Sequence, residues 1–209
     1  MEAYTYTFND DFLKWFLRNG GYAQDLEIFE TESMGRGVRA KVDIKESQKI
    51  IEIPKKIIIS QSLVANSDDN VHKKISQAFT SEEEVIVAFI LLEWTKNDFW
   101  APYFNVLPEF IPNLSFFDKE TLMELEDEEL IHQAIEMKSK LAESYQTFLV
   151  KSNAFWPPSL KSSLETITLQ KYLWAHAVLD SRALRFQGKV HLAPLADMFN
   201  YQVLILDKL

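Results

Sequence analysis

The sequence contains no cysteine, so it can form neither a disulfide nor a thiolate metal site. Basic residues are also few, since 22 Lys and Arg stand against 31 Asp and Glu and give a formal net charge of -9. Phosphate binding needs a surplus of positive charge, so we predict no nucleic-acid partner. We expect no metal either, because the histidines are far apart and lack the spacing of metal ligands; they are His72, His132, His176 and His191.

Long apolar runs are absent as well. The longest, Val85–Leu92, falls far short of the roughly 18 residues that suggest a membrane span. Met1–Tyr4 has no basic region followed by an apolar run, so we expect no signal peptide. These features predict no membrane partner and a cytoplasmic or nuclear location, and they leave the oligomeric state open.

The sequence does contain enough apolar and aromatic residues to form a core. The chain has 209 residues, of which 47% are apolar, and this suits one domain or one domain with a large insertion. Its 15 Phe and 5 Trp predict an aromatic-rich core or a groove lined by rings.

The pattern of residues changes twice along the chain. Within residues 1–25, Asp10–Arg18 predicts a short helix that ends at Asn19-Gly20-Gly21. From Leu26 to Ser60 the pattern is typical of short strands, with Lys49–Ile53 and Lys56–Ile59 as two runs divided by a proline. From Phe186 onward short β and turn segments return.

Between these β regions, residues of about 62–182 are predicted to be helical. Ser81–Glu84 is a capping box before an apolar helix that we expect to be buried, and Asp118–Val150 predicts one long helix or two. Thr168–Ala183 predicts another helix, with His176 on its apolar face as a structural histidine in preference to a general base. We therefore predict an α+β fold, in which residues 26–209 form one β domain carrying a large helical insertion.

Two features could bind a small ligand through glycine or arginine. Gly35-Arg36-Gly37 would allow positive φ and close approach of a ligand to the backbone, although such a turn alone is more commonly structural. It lacks the longer glycine pattern of dinucleotide sites. Arg182 could clamp a carboxylate, or it could be a solvated cation at a helix C-terminus.

The segment Ala193–Tyr201 places Asp197 and Asn200 three residues apart in an apolar setting. Buried polar groups need partners, and an amide that both donates and accepts suits recognition of an amino-acid moiety. The alternative is that Asp197 caps a short turn.

Taken together, these pieces resemble the Rubisco large-subunit methyltransferase branch of the SET-domain protein methyltransferases. The resemblance covers about Leu26 to Tyr201. It is carried by Gly35–Ala40, Trp100–Phe104, Ser181–Ala183 and Leu195–Asn200.

The resemblance implies methyl transfer from S-adenosylmethionine to a protein side chain, usually a lysine and in some members a histidine. It implies a SET-domain β fold of short strands with a helical insertion, and a protein substrate that presents a lysine. It implies a substrate groove that includes Trp100, Tyr103 and Phe104, and it assigns no catalytic residue. The residues implied for the cofactor pocket are Gly35, Arg36, Gly37, Arg39, Arg182, Asp197, Met198, Phe199, Asn200 and Tyr201.

Two departures from the family pattern leave alternatives open. Tyr201 stands where the family usually has histidine, and residues 202–209 resemble none of the further strands, or the channel tyrosine, with which the family continues. The C-terminal strands are therefore expected to be incomplete. The chain could be an active methyltransferase, a catalytically inactive truncated isoform acting at most as a cofactor- or protein-binding module, or an unstable fragment.

Overall fold

The computed structural model of the protein describes residues 7–31 and 35–200. The chain divides into two compact units. Among the described residues, the first comprises those of 7–58 together with 193–200, and the second is Ile59–Leu192. The mixture of helices and small sheets confirms the predicted α+β class.

The first unit begins with helix α1, Thr7–Arg18, and so confirms the predicted N-terminal helix. Its buried face carries Phe12, Trp15 and Phe16, spaced as an amphipathic helix requires. The chain then turns at Gly20, whose φ of +90° is in the left-handed region that favours glycine.

An antiparallel pair follows in the first unit. Strand β1, Leu26–Thr31, pairs with strand β2, Gly35–Ala40, so that Leu26 lies opposite Ala40. Leu26 and Ile28 are buried, and their alternation gives this strand its inward face. The pairing aligns Phe29 with Gly37 in the middle of β2.

The strands predicted over Lys49–Ile53 and Lys56–Ile59 are largely wrong. Glu52 makes only an isolated bridge with Tyr22, and Lys55–Ile57 forms a 3-10 turn. Pro54 occupies the N-cap of that turn, where its lack of an N–H donor is harmless, whereas in a ladder it would remove a hydrogen bond.

The second unit is mainly helical and carries a three-stranded antiparallel sheet. Its strands are β3 (Ile59–Ser60), β4 (Leu184–Phe186) and β5 (Lys189–Leu192), in the order β3-β5-β4. The β4–β5 turn has Gln187 and Gly188 at φ of 51° and 74°, as a tight hairpin turn requires. Its elements are β3 Ile59–Ser60, α2 Gln61–Ala65, α3 Asn70–Ala78, α4 Glu82–Lys96, α5 Ala101–Phe104, α6 Lys119–Met123, α7 Glu128–Phe155, α8 Lys161–Glu165, α9 Leu169–Arg182, β4 Leu184–Phe186 and β5 Lys189–Leu192.

Helix α4 forms the centre of the second unit. Every residue from Val85 to Glu93 is buried, which confirms the prediction of a buried apolar helix. The Oγ of Ser81 accepts a hydrogen bond from the Glu84 N–H at 3.0 Å, so the predicted N-terminal cap is also present. In the region predicted as one long helix or two, the structure has α6 and α7.

A buried ionic cluster joins α3 to α4. The Glu93 carboxylate is 5% exposed, and its Oε1 lies 2.8 Å from His72 Nε2 and 2.7 Å from Lys96 Nζ. Lys96 Nζ also lies 3.0 Å from Asp69 Oδ2, and Ser67 Oγ lies 2.8 Å from His72 Nδ1. These two bonds from His72 and Lys96 hold the pKa of Glu93 below its usual value although burial opposes this.

Candidate cofactor site

Two of the predicted motifs meet within the first unit, at Gly37. This glycine is buried in the middle of β2. A Cβ added to it would lie 2.6 Å from Asn200 Nδ2 and 3.0 Å from Cε1 of the Phe29 ring. The shorter distance is below any contact that a real Cβ makes, so glycine is what lets the Asn200 amide lie against the strand.

A short turn positions Asn200. Ala196–Met198 forms a single 3-10 turn, in which the Asp197 N–H donates to the Ala193 carbonyl at 3.0 Å. Leu195 and Met198 are buried and anchor the turn. Leu195 holds the N-cap position with φ of 75°, so Asp197 lies inside the turn and not at its cap.

Gly35 opens β2 with φ of +65°, and an added Cβ would meet nothing within 4 Å. Position 35 therefore requires glycine because of its backbone conformation, whereas position 37 requires glycine because there is no space for a side chain. The two glycines of the predicted turn thus have different physical roles.

The arginines of β2 contact their opposite residues on β1. Arg39 Nε donates to Glu27 Oε1 at 2.7 Å, and its guanidinium carbon lies 5.3 Å from the centre of the Phe29 ring. Arg36 Nη2 lies 4.0 Å from Glu30 Oε2. Both pairs follow from the strand register, which was not part of the sequence prediction. A cofactor role for Arg36 and Arg39 stays a prediction.

Three further residues are predicted for the cofactor site, namely Arg182, Phe199 and Tyr201. Arg182 ends α9 in the second unit, where its surface is partly exposed. Phe199 is 40% exposed beside Asn200, and Tyr201, with residues 202–209, lies outside the described residues. The structure thus brings Gly37, Met198 and Asn200 into one neighbourhood, and the cofactor assignment of the whole set stays a prediction.

The aromatic residues predicted for the substrate groove are buried in the second unit. Tyr103 is 0% exposed, Trp100 is 4% exposed and Phe104 is 5% exposed. Trp100 stacks on Phe104 with ring centres 6.3 Å apart and meets Phe89 of α4 edge-on at 5.8 Å. These contacts favour a packing role, and the groove assignment stays a prediction that such burial does not support.

His176 differs from the satisfied structural histidine that the helix pattern predicts. Its Nε2 is buried and has no hydrogen-bond partner among the described residues, while its ring lies 4.7 Å from that of Tyr172. Burial lowers the pKa of His176 to about 4, although Glu83 and Glu84 oppose the shift. The imidazole is therefore neutral at physiological pH.

Solved structures with a similar fold are known. The chain superposes on the SET domain of LSMT bound to MeLysine and AdoHcy with a TM-score of 0.79, at 23% identity, over 95% of this chain and 46% of that one. Rubisco LSMT bound to AdoMet gives a TM-score of 0.78 at 22% identity, over 95% and 45% of the two chains. The fold is therefore that of the SET-domain methyltransferases, and the predicted resemblance is confirmed.

Relatives of the chain in sequence include actin-histidine N-methyltransferases. The mouse protein (Mus musculus) is 27% identical over 200 residues, which are 91% of this chain and 34% of the relative. The human protein (Homo sapiens) is 26% identical over the same length, again 34% of the relative. The chain thus spans about a third of these relatives. No protein-family profile matches it. In the described part of the chain, no helix is long and apolar enough to cross a bilayer.

Proposed function

We propose that this chain acts in S-adenosylmethionine-dependent methylation of protein side chains. The observation that carries the proposal is the Gly37–Asn200 contact, which joins two motifs far apart in the sequence. The comparisons support the proposal in two ways. The sequence relatives named above are methyltransferases, and a solved structure of the same fold holds AdoMet.

The residues around Gly37 fit such a cofactor. The backbone at Gly35 is open, since an added Cβ would meet nothing within 4 Å, and the Asn200 amide, packed against Gly37, offers both donors and acceptors to an amino-acid moiety. Gly35, Gly37 and Asn200 would hold the cofactor, with Arg182, Asp197 and Tyr201 as further predicted contributors. When bound, S-adenosylmethionine supplies an electrophilic methyl group on a sulfonium. The task of this chain is to bind that group, to exclude water and to align a neutral nucleophile with it.

The acceptor is a protein side chain with a nitrogen nucleophile. We propose lysine, as the resemblance implies, and a solved structure of the same fold holds MeLysine. Histidine is the competing acceptor, because the sequence relatives methylate a histidine of actin. A cytoplasmic or nuclear location remains part of the proposal.

Calorimetric titration with S-adenosylmethionine tests binding. We expect saturable binding by the wild-type chain and at least a tenfold weaker binding by Asn200→Ala, about 1.4 kcal/mol. Asn70→Ala is the matched control, because this asparagine is exposed at the start of α3. A folded chain that does not bind the cofactor would contradict the proposal.

Transfer of a labelled methyl group from the cofactor tests the activity. Three peptides that differ only in one residue, Lys, His or Ala, identify the acceptor. Label on the lysine peptide supports the proposal, and label on the histidine peptide alone assigns the other acceptor. Cofactor binding without transfer to either peptide favours the alternative of a non-catalytic cofactor-binding module.

A further inference from the structure

The ammonium group of Lys171 lies against two tryptophan rings in the second unit. Lys171 Nζ is 3.4 Å from the centre of the Trp174 ring and 4.0 Å from that of Trp94. Lys171 and Trp174 are on α9, three residues apart and hence on one face, while Trp94 comes from α4. Two helices therefore define one cation site with aromatic walls.

The two walls differ in how firmly they are held. Trp174 is 6% exposed, and its indole N–H donates to the Pro108 carbonyl at 2.9 Å, which fixes the ring. Trp94 is 37% exposed, so its ring is accessible from solvent and has room to adjust. Glu109, next in the chain to Pro108, adds a carboxylate that acts on the charge of Lys171. Two indoles with a nearby carboxylate suit an organic cation.

Lys171 is a poor occupant of this site. Burial lowers its pKa to about 8, although the Glu109 carboxylate opposes the shift. The loss of water around its primary ammonium thus disfavours the charged form of Lys171. An N-methylated ammonium carries fewer N–H groups that need hydration, so it loses less on entering the same aromatic site. The flexible stem of lysine allows Lys171 to swing out to solvent.

We propose that Trp94 and Trp174 form the walls of a binding site for an N-methylated ammonium group and that Lys171 is the internal occupant which such a group displaces. The chemistry is shared by methylated lysine side chains of proteins and by choline. The proposal does not depend on methyltransferase activity, because it concerns only side chains of the second unit.

Binding measurements with defined probes test the site. A peptide containing trimethyllysine, the same peptide with unmodified lysine, and free choline are titrated while tryptophan fluorescence is followed. We expect the trimethyllysine peptide to bind at least about tenfold more tightly than the unmodified one. Choline binding as tight as that of the peptide would support the site and assign it to a small molecule, whereas much weaker choline binding would support it and assign it to proteins.

Variants distinguish binding at the site between Trp94 and Trp174 from binding elsewhere on the chain. Lys171→Ala empties the site and should tighten trimethyllysine binding by about tenfold, while Trp94→Leu should abolish it. Lys74→Ala, at an exposed lysine of α3, should change nothing. Circular dichroism verifies that each variant is folded. Equal binding of modified and unmodified peptides by both the wild type and Lys171→Ala would overturn the proposal, and so would full binding by a folded Trp94→Leu.

Discussion

The Asn200 amide occupies the space beside Gly37 that any other residue would fill with its Cβ. The distance from that Cβ position to Asn200 Nδ2 is 2.6 Å, and Phe29 closes the other side at 3.0 Å. A methyl group at position 37 cannot be accommodated unless the Asn200 side chain moves. The contact is thus a point at which one small change perturbs the candidate cofactor site.

Replacing Gly37 with alanine tests this relationship. The added methyl group should displace Asn200 and weaken S-adenosylmethionine binding by at least about tenfold. Overpacking of the buried strand should also lower the free energy of unfolding by about 1–3 kcal/mol. Calorimetric titration measures the first effect and urea denaturation the second.

Gly188→Ala is the matched control for that variant. Gly188 differs from Gly37 in having a positive φ of 74°, and an added Cβ there would meet nothing within 4 Å. Strain alone should cost about 1 kcal/mol of stability there and leave cofactor affinity unchanged. Unchanged affinity in a folded Gly37→Ala chain would contradict a role for the Gly37–Asn200 contact in binding.

The Glu93 cluster gives a second prediction. Lys96→Met removes the ammonium group paired with the carboxylate of Glu93, a residue that is 5% exposed, and the remaining negative charge is then less well compensated. Breaking such a buried pair should reduce the free energy of unfolding by about 2–4 kcal/mol, measured by urea denaturation. Lys140→Met, which removes an exposed 3.6 Å pair with Glu136, should change it by less than about 0.5 kcal/mol.

A double-mutant cycle attributes the loss to the pair itself. In the Glu93→Gln background no buried carboxylate is left uncompensated, so Lys96→Met should cost at least about 1 kcal/mol less than in the wild type. Equal costs in the two backgrounds would mean that Lys96 acts through its apolar stem and not through Glu93.

The helix cap of α4 gives a third prediction. Ser81 Oγ satisfies one of the free N–H groups at the start of the most buried helix. Ser81→Ala should therefore lower the free energy of unfolding by about 1 kcal/mol, whereas Ser81→Asp should retain most of the stability. A thermal melt of the three chains checks the order, and an aspartate variant as unstable as the alanine variant would argue against capping.

Helices were predictable from the sequence where local signals coincide with burial. The capping box at Ser81 and the apolar run after it define α4, and the glycines after Arg18 end α1. The β-branched run around Pro54 misled the strand prediction, because a strand needs a partner of matching register and the proline cannot donate to one. Pairing partners are long-range information that local pattern does not contain.

In the candidate site, too, local motifs were predictable and long-range contacts were not. The glycine turn and the Asp197–Asn200 segment were identifiable as motifs, but their contact at Gly37 depends on the tertiary fold. The Glu27–Arg39 pair follows from the β1–β2 register, and a hairpin prediction that included register would have found it. The position of Lys171 between two indoles depends on how α4 packs with α9, which spacing along one helix does not reveal.

His176 gives a prediction for the dependence of stability on pH. Its pKa is about 4 in the folded chain against 6.5 for an ordinary histidine, because burial disfavours the imidazolium. Above pH 6.5 the ring is neutral in both the folded and the unfolded chain, so it does not change the free energy of unfolding with pH. As the pH falls from 6.5 to 4, the unfolded chain takes up a proton that the folded chain does not, so stability is lost, by at most about 3 kcal/mol.

Urea denaturation of the wild type and of His176→Phe between pH 7 and pH 4 measures this loss as the difference between two curves, from which the titration of the carboxylates cancels. The advantage of the wild type over the variant should shrink, or its disadvantage should grow, as the pH falls through this window. His132→Phe is the control, because His132 is 72% exposed and its replacement should give a curve parallel to that of the wild type. Parallel curves for His176→Phe as well would mean that the imidazole gains a proton at an ordinary pH and that its Nε2 is accessible to water.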